Sequence, residues 1–369
     1  MRKVFALRAA LPAKGDTKYA AYPKYPAISL TAAGNFLLFC SLIVDMRSIR
    51  QIYNPGLFQG SFRKRNYFEG WYFKHVSAGS RHAFAVIPGV SLSEDAHSFI
   101  QYIDGNTGAT LYFRYSPDEI RFNSRIMEIK VGNSYFSEKE INLDIENDGH
   151  RLSGKITYSD INHFPGSIFR PGIMGWYSFV PGMECNHGVV STGHTLTGKI
   201  SADGLVTDYS GGRGYIEKDW GTSFPESWIW LQCNNFGHDD VSVMISVAKI
   251  PWRGSWFMGF ISFLRIRSRT YVFATYNGAK VTSLRRTDDI TTLLTITRGA
   301  LTLTATVKKK GSGTLRAPSD GMMSGTIRES LNSEVELSLT SGKDIIFSGT
   351  GMRAGYEETE KIFSYFSQA

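Results

Sequence analysis

From about residue 55 onward, apolar and polar positions alternate along the chain with the period of two that is typical of β-strands. The alternation is clearest over residues 120–148 and returns over 228–251. Turn-forming residues interrupt it roughly every ten positions, as in antiparallel sandwiches and barrels, and residues 105–108 and 202–204 separate pairs of such runs as hairpin turns do. The pattern predicts an all-β fold of antiparallel strands with very little helix, since only residues 357–367 have a helical stripe.

The length of 369 residues exceeds that of one ordinary domain and suits two. We expect two antiparallel β-barrel or sandwich domains, over residues 55–222 and 223–369, with a ligand cavity in or between them. Residues 1–54 form an extension that precedes the strand pattern.

The extension has no strand or helix periodicity. Residues 1–26 are basic and contain prolines, and residues 27–44 are moderately apolar. Three interpretations stay open: the natural start is Met46 and the preceding residues are not native, the segment is a membrane anchor, or it is an extension without packed structure.

A chain that starts at Met46 should therefore unfold at the same temperature as the full chain, because residues 1–45 carry no pattern that packs into a β core. Thermal unfolding of the two chains side by side measures this. A drop of many degrees on truncation would show instead that the extension packs against the strands.

Composition and charge exclude several classes of protein. Hydrophobic residues make up 42% of the chain, which is enough for sizeable cores. The chain contains no clear run of about twenty apolar residues, which excludes a polytopic membrane protein. The net charge of +8 is concentrated at the start, since residues 1–65 contain 11 Lys/Arg and 2 Asp/Glu while residues 66–369 contain 30 and 31. The patterned part is therefore neutral, which argues against nucleic-acid binding.

Three segments place acidic residues among aromatic ones. They are residues 66–74 with Glu69, residues 175–187 with Glu184 and His187, and residues 214–234 with Glu217 and Asp219. A carboxylate in aromatic surroundings is costly to bury unless it is paired, hydrogen-bonded or protonated, so these acids are candidate catalytic groups. The accompanying candidates for substrate binding are Trp71, Tyr72, Trp176, Tyr177, Tyr215, Trp220, Trp228 and Trp230, of which Trp71, Trp176, Trp220 and Trp230 are expected to line the cavity.

Other interpretations of these segments are weaker. Glu69 could lie at a sheet edge and reach solvent or Lys74. Cys185, His187 and His194 match no zinc spacing, so no metal is expected. Carboxylate pairs among tryptophans also occur in glycoside hydrolases, which remains a minor alternative.

Four segments in order resemble the tocopherol cyclase family: YFEGWYFK (67–74), MECNH (183–187), GYIEKDWGTSFPESWIWLQCNNF (214–236) and GTLRAPSDG (313–321). The resemblance covers roughly residues 55–355. It implies a lipocalin-like architecture of two β domains, related to carotenoid hydratases, and an activity: closure of a chromanol ring on a prenylated hydroquinone.

This activity needs a proton for a trisubstituted alkene and then capture of the tertiary cation by a phenol oxygen. A carboxylic acid kept protonated in an apolar pocket suits the first step, and aromatic faces stabilise the cation. Glu217 is the first choice as proton donor, followed by Glu69 and Glu184, while Asp219 would orient and His187 would bind substrate. Lys218 should face away from Glu217 on the same strand.

The resemblance implies an enzyme without cofactor or metal, whose partner is a hydrophobic prenylated small molecule. We expect a cytoplasmic protein that reaches this substrate by peripheral membrane association. The alternative from another class is a non-catalytic carrier of isoprenoids or lipids with the same aromatic cavity.

Overall fold

The computed structural model describes residues 49–147, 149–237 and 240–366, and consists mainly of two antiparallel sheets. The interpretations of residues 1–45 and of a start at Met46 lie outside the described residues. The strands of the two sheets all belong to one compact unit, Asp45–Ala369. The predicted all-β, lipocalin-like fold is confirmed, while the division into two domains over residues 55–222 and 223–369 stays a prediction.

The first sheet is 12-stranded, and its order is β4-β3-β2-β1-β12-β10-β9-β8-β7-β6-β5, with β11 paired to β10. The strands are β1 (Tyr67–Val76), β2 (Ala83–Leu92), β3 (His97–Asp104), β4 (Thr110–Tyr115), β5 (Ile120–Phe122), β6 (Glu128–Val131), β7 (Ser134–Ser137), β8 (Glu140–Asn147), β9 (His150–His163), β10 (Cys185–Ala202), β11 (Leu205–Asp208) and β12 (Arg213–Gly221). Both predicted hairpin turns are confirmed, because β3 pairs with β4 and β10 with β11.

The second sheet is 10-stranded, and its order is β16-β15-β14-β13-β22-β21-β19-β18-β17, with β20 paired to β21. The strands are β13 (Trp228–Cys233), β14 (Val241–Trp252), β15 (Ser255–Ile266), β16 (Arg269–Ala274), β17 (Lys280–Arg286), β18 (Thr291–Arg298), β19 (Leu301–Lys308), β20 (Gly313–Ser319), β21 (Met322–Ser341) and β22 (Asp344–Glu358).

Helix is confined to short segments in the described residues. They are the α-helix α1 (Ile49–Tyr53) and the 3-10 helices η1 (Ala78–Ser80), η2 (Pro117–Glu119), η3 (Gly175–Phe179), η4 (Thr275–Asn277) and η5 (Glu360–Tyr365). The predicted helical stripe at residues 357–367 is thus strand at its start and 3-10 helix after it. Over the same residues, no helix is long and apolar enough to cross a membrane.

Three apolar clusters make up the core. One lies inside the first sheet and includes Trp71 and Trp220, and a second lies inside the second sheet around Leu231. The third contains residues of both sheets, such as Tyr215 and Trp230, and packs the sheets against each other. Strands at this junction are buried on both faces, so the side chains of each strand are divided between two cores.

The central strands β1 and β12 make this division visible. They pair in antiparallel register, with Trp71 opposite Lys218 and Tyr72 opposite Glu217. Because neighbouring side chains on a strand point to opposite faces, Trp71 and Lys218 lie on the inner face of the first sheet, and Tyr72 and Glu217 face the second sheet. The expectation that Lys218 faces away from Glu217 is confirmed.

A fully buried ion pair occupies the inner face of the first sheet. Lys218 Nζ lies 2.5 Å from Glu69 Oε1, and both side chains are inaccessible to solvent. The Lys218 ammonium also donates to the carbonyl oxygen of Pro55 at 2.8 Å, and Glu69 accepts hydrogen bonds from the backbone N–H groups of Gln59 and Gly60 at 2.8 and 3.0 Å. The pair therefore ties the segment before β1 to the β1–β12 centre.

Replacement of Glu69 by Gln should lower the free energy of unfolding by about 3–5 kcal/mol, because it leaves a buried ammonium without its counter-charge. Denaturant unfolding measures the loss. Glu146→Gln is the matched control: Glu146 pairs with Arg151 at 2.5 Å on the surface, where the side chains are 73% and 63% exposed, and its loss should cost at most about 1 kcal/mol. Equal effects of the two substitutions would contradict a structural role for the buried pair.

Candidate active site

A cavity of about 190 Å³ lies between the two sheets. Most of its wall is apolar and aromatic, contributed by both sheets and the loops beside them, and includes Phe68, Phe99, Tyr177, Phe224, Trp228 and Trp230. The wall also contains four carboxyl groups and one imidazole, those of Glu217, Asp219, Glu329, Glu357 and His187, and the guanidinium of the exposed Arg316. Few polar groups in a largely apolar concavity are what small-molecule sites have in general.

The first polar group is a histidine–carboxylate cluster formed by His187, Glu217 and Asp219. His187 on β10 lies opposite Asp219 on β12 in the strand register. Its Nδ1 lies 2.8 Å from Asp219 Oδ1, and its Nε2 lies 3.3 Å from Glu217 Oε2. The Tyr215 hydroxyl donates to the same Glu217 oxygen at 2.6 Å and fixes the carboxyl group, whereas His187 Nε2 makes no hydrogen bond among the described residues.

The charge of this cluster follows from its geometry. Burial lowers the pKa of His187, but the adjacent Asp219 and Glu217 carboxylates outweigh it and raise that pKa to about 10. His187 is therefore an imidazolium at neutral pH, and the cluster offers a ligand both a cationic donor and carboxylate acceptors.

The same cluster could hold a metal ion. Within the described ranges, the ligand atoms of His187, Glu217 and Asp219 lie within 4.8 Å of one another. A metal there would have to displace the proton of His187. The expectation of a site without a metal stays a prediction.

The second polar group is a carboxyl pair formed by Glu329 on β21 and Glu357 on β22. The two residues are direct partners in the antiparallel register. The Tyr72 hydroxyl donates to Glu329 Oε1, and the Trp228 indole N–H donates to Glu357 Oε2 at 2.8 Å. Strands of both sheets thus contribute a hydrogen-bond donor to the pair.

Burial raises the pKa of both members of the pair. For Glu329 the negative charge of Glu217 adds to burial, the Tyr72 hydrogen bond and Lys74 oppose them, and the pKa is about 7. For Glu357 burial and the Glu329 charge raise the pKa well above its usual range, while the Trp228 hydrogen bond acts in the opposite direction. Neutral carboxylic acids are therefore available in this cavity near pH 7.

Glu329 and Glu357 were not among the candidate residues predicted from the sequence. A signal for Glu329 did exist, since it occupies the same strand face as the apolar Ile327 and Leu331, where a charged residue is unexpected. Glu357 gave no comparable signal because it lies among other acids in the segment YEETE.

The structure brings part of the predicted site together. The cavity wall contains Tyr72, Tyr177, His187, Glu217, Asp219, Trp228 and Trp230. Tyr215 lies beneath Glu217 and supports it. A glycine at position 355 allows this arrangement, because a Cβ there would lie 2.7 Å from the Trp230 ring.

Other predicted residues lie outside the cavity wall. Glu69, Trp71 and Trp220 point into the core of the first sheet, because they occupy the opposite strand face from Tyr72 and Glu217. The Lys218 ammonium lies over both indoles, 4.6 Å from the Trp71 centroid and 4.8 Å from the Trp220 centroid. Of the four tryptophans expected to line the cavity, only Trp230 does so among the described lining residues.

Trp176 and Glu184 also lie beside the cavity rather than in its wall. Trp176 is 38% exposed and stacks on the lining residue Tyr177 with centroids 4.1 Å apart. Glu184 is half-buried, and burial together with Asp320 and Glu226 raises its pKa.

These observations define a class: an all-β, lipocalin-like protein with an aromatic, acid-containing ligand cavity between two sheets. The fold is similar to that of CghA in its crystal structure with Sch210972, with a TM-score of 0.51, 10% sequence identity and coverage of 79% of this chain and 88% of that chain.

The family model for tocopherol cyclase-like proteins matches residues 155–358, more than half of the chain, and the chain belongs to this family. It is similar to the probable tocopherol cyclase of Oryza sativa subsp. japonica, 34% identical over 74 residues, and to the tocopherol cyclase of Zea mays, 32% identical over 74 residues, both chloroplastic. In both cases the match covers 20% of this chain and 16% of the relative.

The ion pairs of His187 should make stability depend on pH. The pKa of His187 is raised on folding, so its contribution is fully present below the unfolded value of 6.5 and is lost as the pH rises through about 10. The stability difference between wild type and His187→Gln should therefore be largest near pH 6, by no more than about 5 kcal/mol, and shrink toward pH 10. Denaturant unfolding at a series of pH values measures it.

His150→Gln is the matched control. His150 Nδ1 also lies 2.8 Å from an aspartate oxygen, that of Asp203, but on the surface with the two side chains 42% and 50% exposed. Its loss should have little effect at any pH in this range. A stability difference for His187→Gln that stays constant from pH 6 to pH 10 would contradict the buried imidazolium.

Proposed function

We propose that the protein is a tocopherol cyclase-like enzyme that closes a chromanol ring on a prenylated hydroquinone. The single observation that carries the proposal is the coexistence, in one apolar cavity, of a carboxyl pair whose pKa values burial raises with a cluster suited to bind hydroxyl groups. Membership of the tocopherol cyclase-like family supports the same activity.

The cavity provides what the reaction requires. A neutral carboxyl group protonates the prenyl double bond, and positive charge develops at the tertiary carbon. The faces of Tyr72, Trp228 and Trp230 can stabilise this cation by roughly 1–2 kcal/mol each in desolvated surroundings. Apolar walls keep water away from the cation, so that the phenol oxygen captures it.

The histidine–carboxylate cluster binds the hydroquinone head. Glu217 and Asp219 accept hydrogen bonds from hydroxyl groups, and the His187 Nε2–H, which has no hydrogen-bond partner among the described residues, donates one. Glu217 is therefore proposed to bind and orient substrate rather than to donate the proton, because the Tyr215 hydroxyl and the His187 imidazolium already lie against its Oε2 and fix the position of the carboxyl group.

A prenylated substrate partitions into membranes, so we propose that the protein meets it at a membrane surface. Aromatic side chains exposed beside the cavity support this view: Trp176 is 38% exposed next to Tyr177, and Trp256 is 46% exposed next to Phe257.

The test is incubation of the protein with a panel of prenylated hydroquinones. We expect at least one to be converted to a product of unchanged mass and different chromatographic retention, because cyclisation is an isomerisation. Two matched controls use the same substrate with either the prenyl double bond saturated or the adjacent hydroxyl methylated. Both should bind, measured by quenching of tryptophan fluorescence, and neither should be converted.

Other outcomes identify other functions. Binding without conversion of any substrate would indicate a carrier. A product whose mass has increased by one water would indicate a hydratase, in which water captures the cation.

A further inference from the structure

Two carboxyl groups meet on one wall of the cavity. Glu329 and Glu357 are directly opposite in the β21–β22 register and line the same apolar space. Residues at such positions have Cβ atoms about 4.5–5.5 Å apart, so the two carboxyl groups are near neighbours, and negative charges on both would repel each other strongly when water is absent. The arrangement therefore favours retention of at least one proton by the pair.

The buried charges around the pair lead to the same conclusion. The charged groups that interact with it are Lys74 on β1 and Glu217 and Asp219 on β12. His187 on β10 pairs with both of these β12 carboxylates, and Arg316 lines the same cavity from an exposed position. The positive charge of His187 balances one of the two carboxylates that it contacts, and the positive charge of Lys74 balances the other. Lys74 is fully buried and donates to the Gln232 side-chain oxygen at 2.8 Å. Any ionisation of the pair would add a negative charge that no buried cation balances.

Each member of the pair has one oxygen held by a neutral donor. The Tyr72 hydroxyl is bound to Glu329 Oε1, and the Trp228 indole N–H to Glu357 Oε2. A donor hydrogen bond fixes the oxygen that accepts it, which leaves the other oxygen of each carboxyl group to carry the proton. Tyr72 also packs edge-on against Trp230, with centroids 5.5 Å apart, so its own position is fixed.

We propose that Glu329 and Glu357 act together as the catalytic acid of the cyclisation, with Tyr72 and Trp228 as positioning residues. The inference rests on the proposed function, which supplies the alkene to be protonated. It assigns the chemical step to the second sheet and the binding of the quinol head to β10 and β12 of the first.

The carboxyl pair regains in the second step the proton that it gives up in the first. In the first step, a carboxyl O–H bond breaks and the alkene π electrons form a C–H bond, which leaves a tertiary cation and a carboxylate. In the second, a phenol oxygen lone pair forms the C–O bond, and the phenol proton passes to that carboxylate. Substrate and product are isomers, and the acid is regenerated without any other reactant.

The experiment compares wild type with Glu329→Gln, Glu357→Gln and the double variant, on a substrate that the wild type converts. Each single variant should lower kcat about 10²- to 10⁴-fold, with substrate binding changed only a few-fold. The double variant should be little worse than either single one, because the two residues act as a unit. Wild-type kcat should fall as the pH rises through about 7, the pKa of Glu329, because the negative charge on one member binds the remaining proton more tightly to the other and weakens the acid.

Glu336→Gln is the matched control, because Glu336 is on the same strand β21 but exposed to solvent. It should leave both kcat and binding unchanged. Wild-type rates in both Glu329→Gln and Glu357→Gln would overturn the proposal, and loss of activity in Glu217→Gln alone would return the acid to the residue that the sequence suggested.

Infrared spectroscopy tests the pair without any turnover. The wild type and Glu336→Gln should show the carbonyl stretch of a protonated carboxyl group at pH values where an ordinary glutamate is ionised. Glu329→Gln should lose part of this band, and the remainder should titrate at lower pH because the neighbouring charge is gone. Absence of the band from the wild type would overturn the proposal even if a variant failed to fold.

The turnover assay and the infrared measurement together distinguish failure of the proposed function from failure of the assigned acid. If the wild type converts no substrate but shows the band, the proposed function fails while the protonated pair stands. If it converts substrate but lacks the band, the cyclase stands and the assignment of the acid fails.

Discussion

The antiparallel pairing of β1 with β12 is the constraint on which the rest of the molecule depends. Both strands are buried on both faces, so their side chains are divided between the core of the first sheet and the junction with the second sheet, where the cavity lies. The pairing places Lys218 beside Glu69 on one face and Glu217 beside Tyr72 on the other. A shift of register by one residue would exchange the ion pair with the cavity groups, which makes the register as important to function as to stability.

Buried charges are arranged differently on the two faces of these strands. The arrangement on the inner face stabilises the fold, and the arrangement on the cavity face is suited to catalysis. On the inner face, Glu69 and Lys218 neutralise each other and their remaining hydrogen-bonding capacity is used by backbone groups. Such a pair serves the fold, because removal of either member would leave a buried charge without its partner. In the cavity, by contrast, carboxyl groups outnumber cations, so some must hold protons. An imbalance of this kind is what provides a neutral acid at neutral pH.

The sequence predicts the strands, the two hairpins and one half of the site, because alternation and turn residues are local signals. Glu217, Asp219 and His187 stood out since aromatic residues flank them in the chain. A choice among the candidates requires knowing which face of each strand packs against which sheet. The sequence indicates that both faces are buried, so it does not distinguish the cavity face from the core face. For that reason Trp71 and Trp220 were expected in the cavity. Glu329 lies more than 100 residues from Glu217, and only the packing of one sheet on the other brings their charges together.

Separation of head binding from proton donation also explains how one cavity can control the fate of a cation. Any acid that protonates a prenyl alkene in this space produces the same intermediate, and the product depends on which nucleophile lies nearest. A hydroquinone held by its hydroxyl groups at Glu217, His187 and Asp219 carries its own nucleophile, and the apolar wall formed by residues such as Phe99 and Trp230 keeps water out. Under the proposed mechanism, cyclisation therefore depends less on the strength of the acid than on the fixed distance between the carboxyl pair and the cluster that holds the ring.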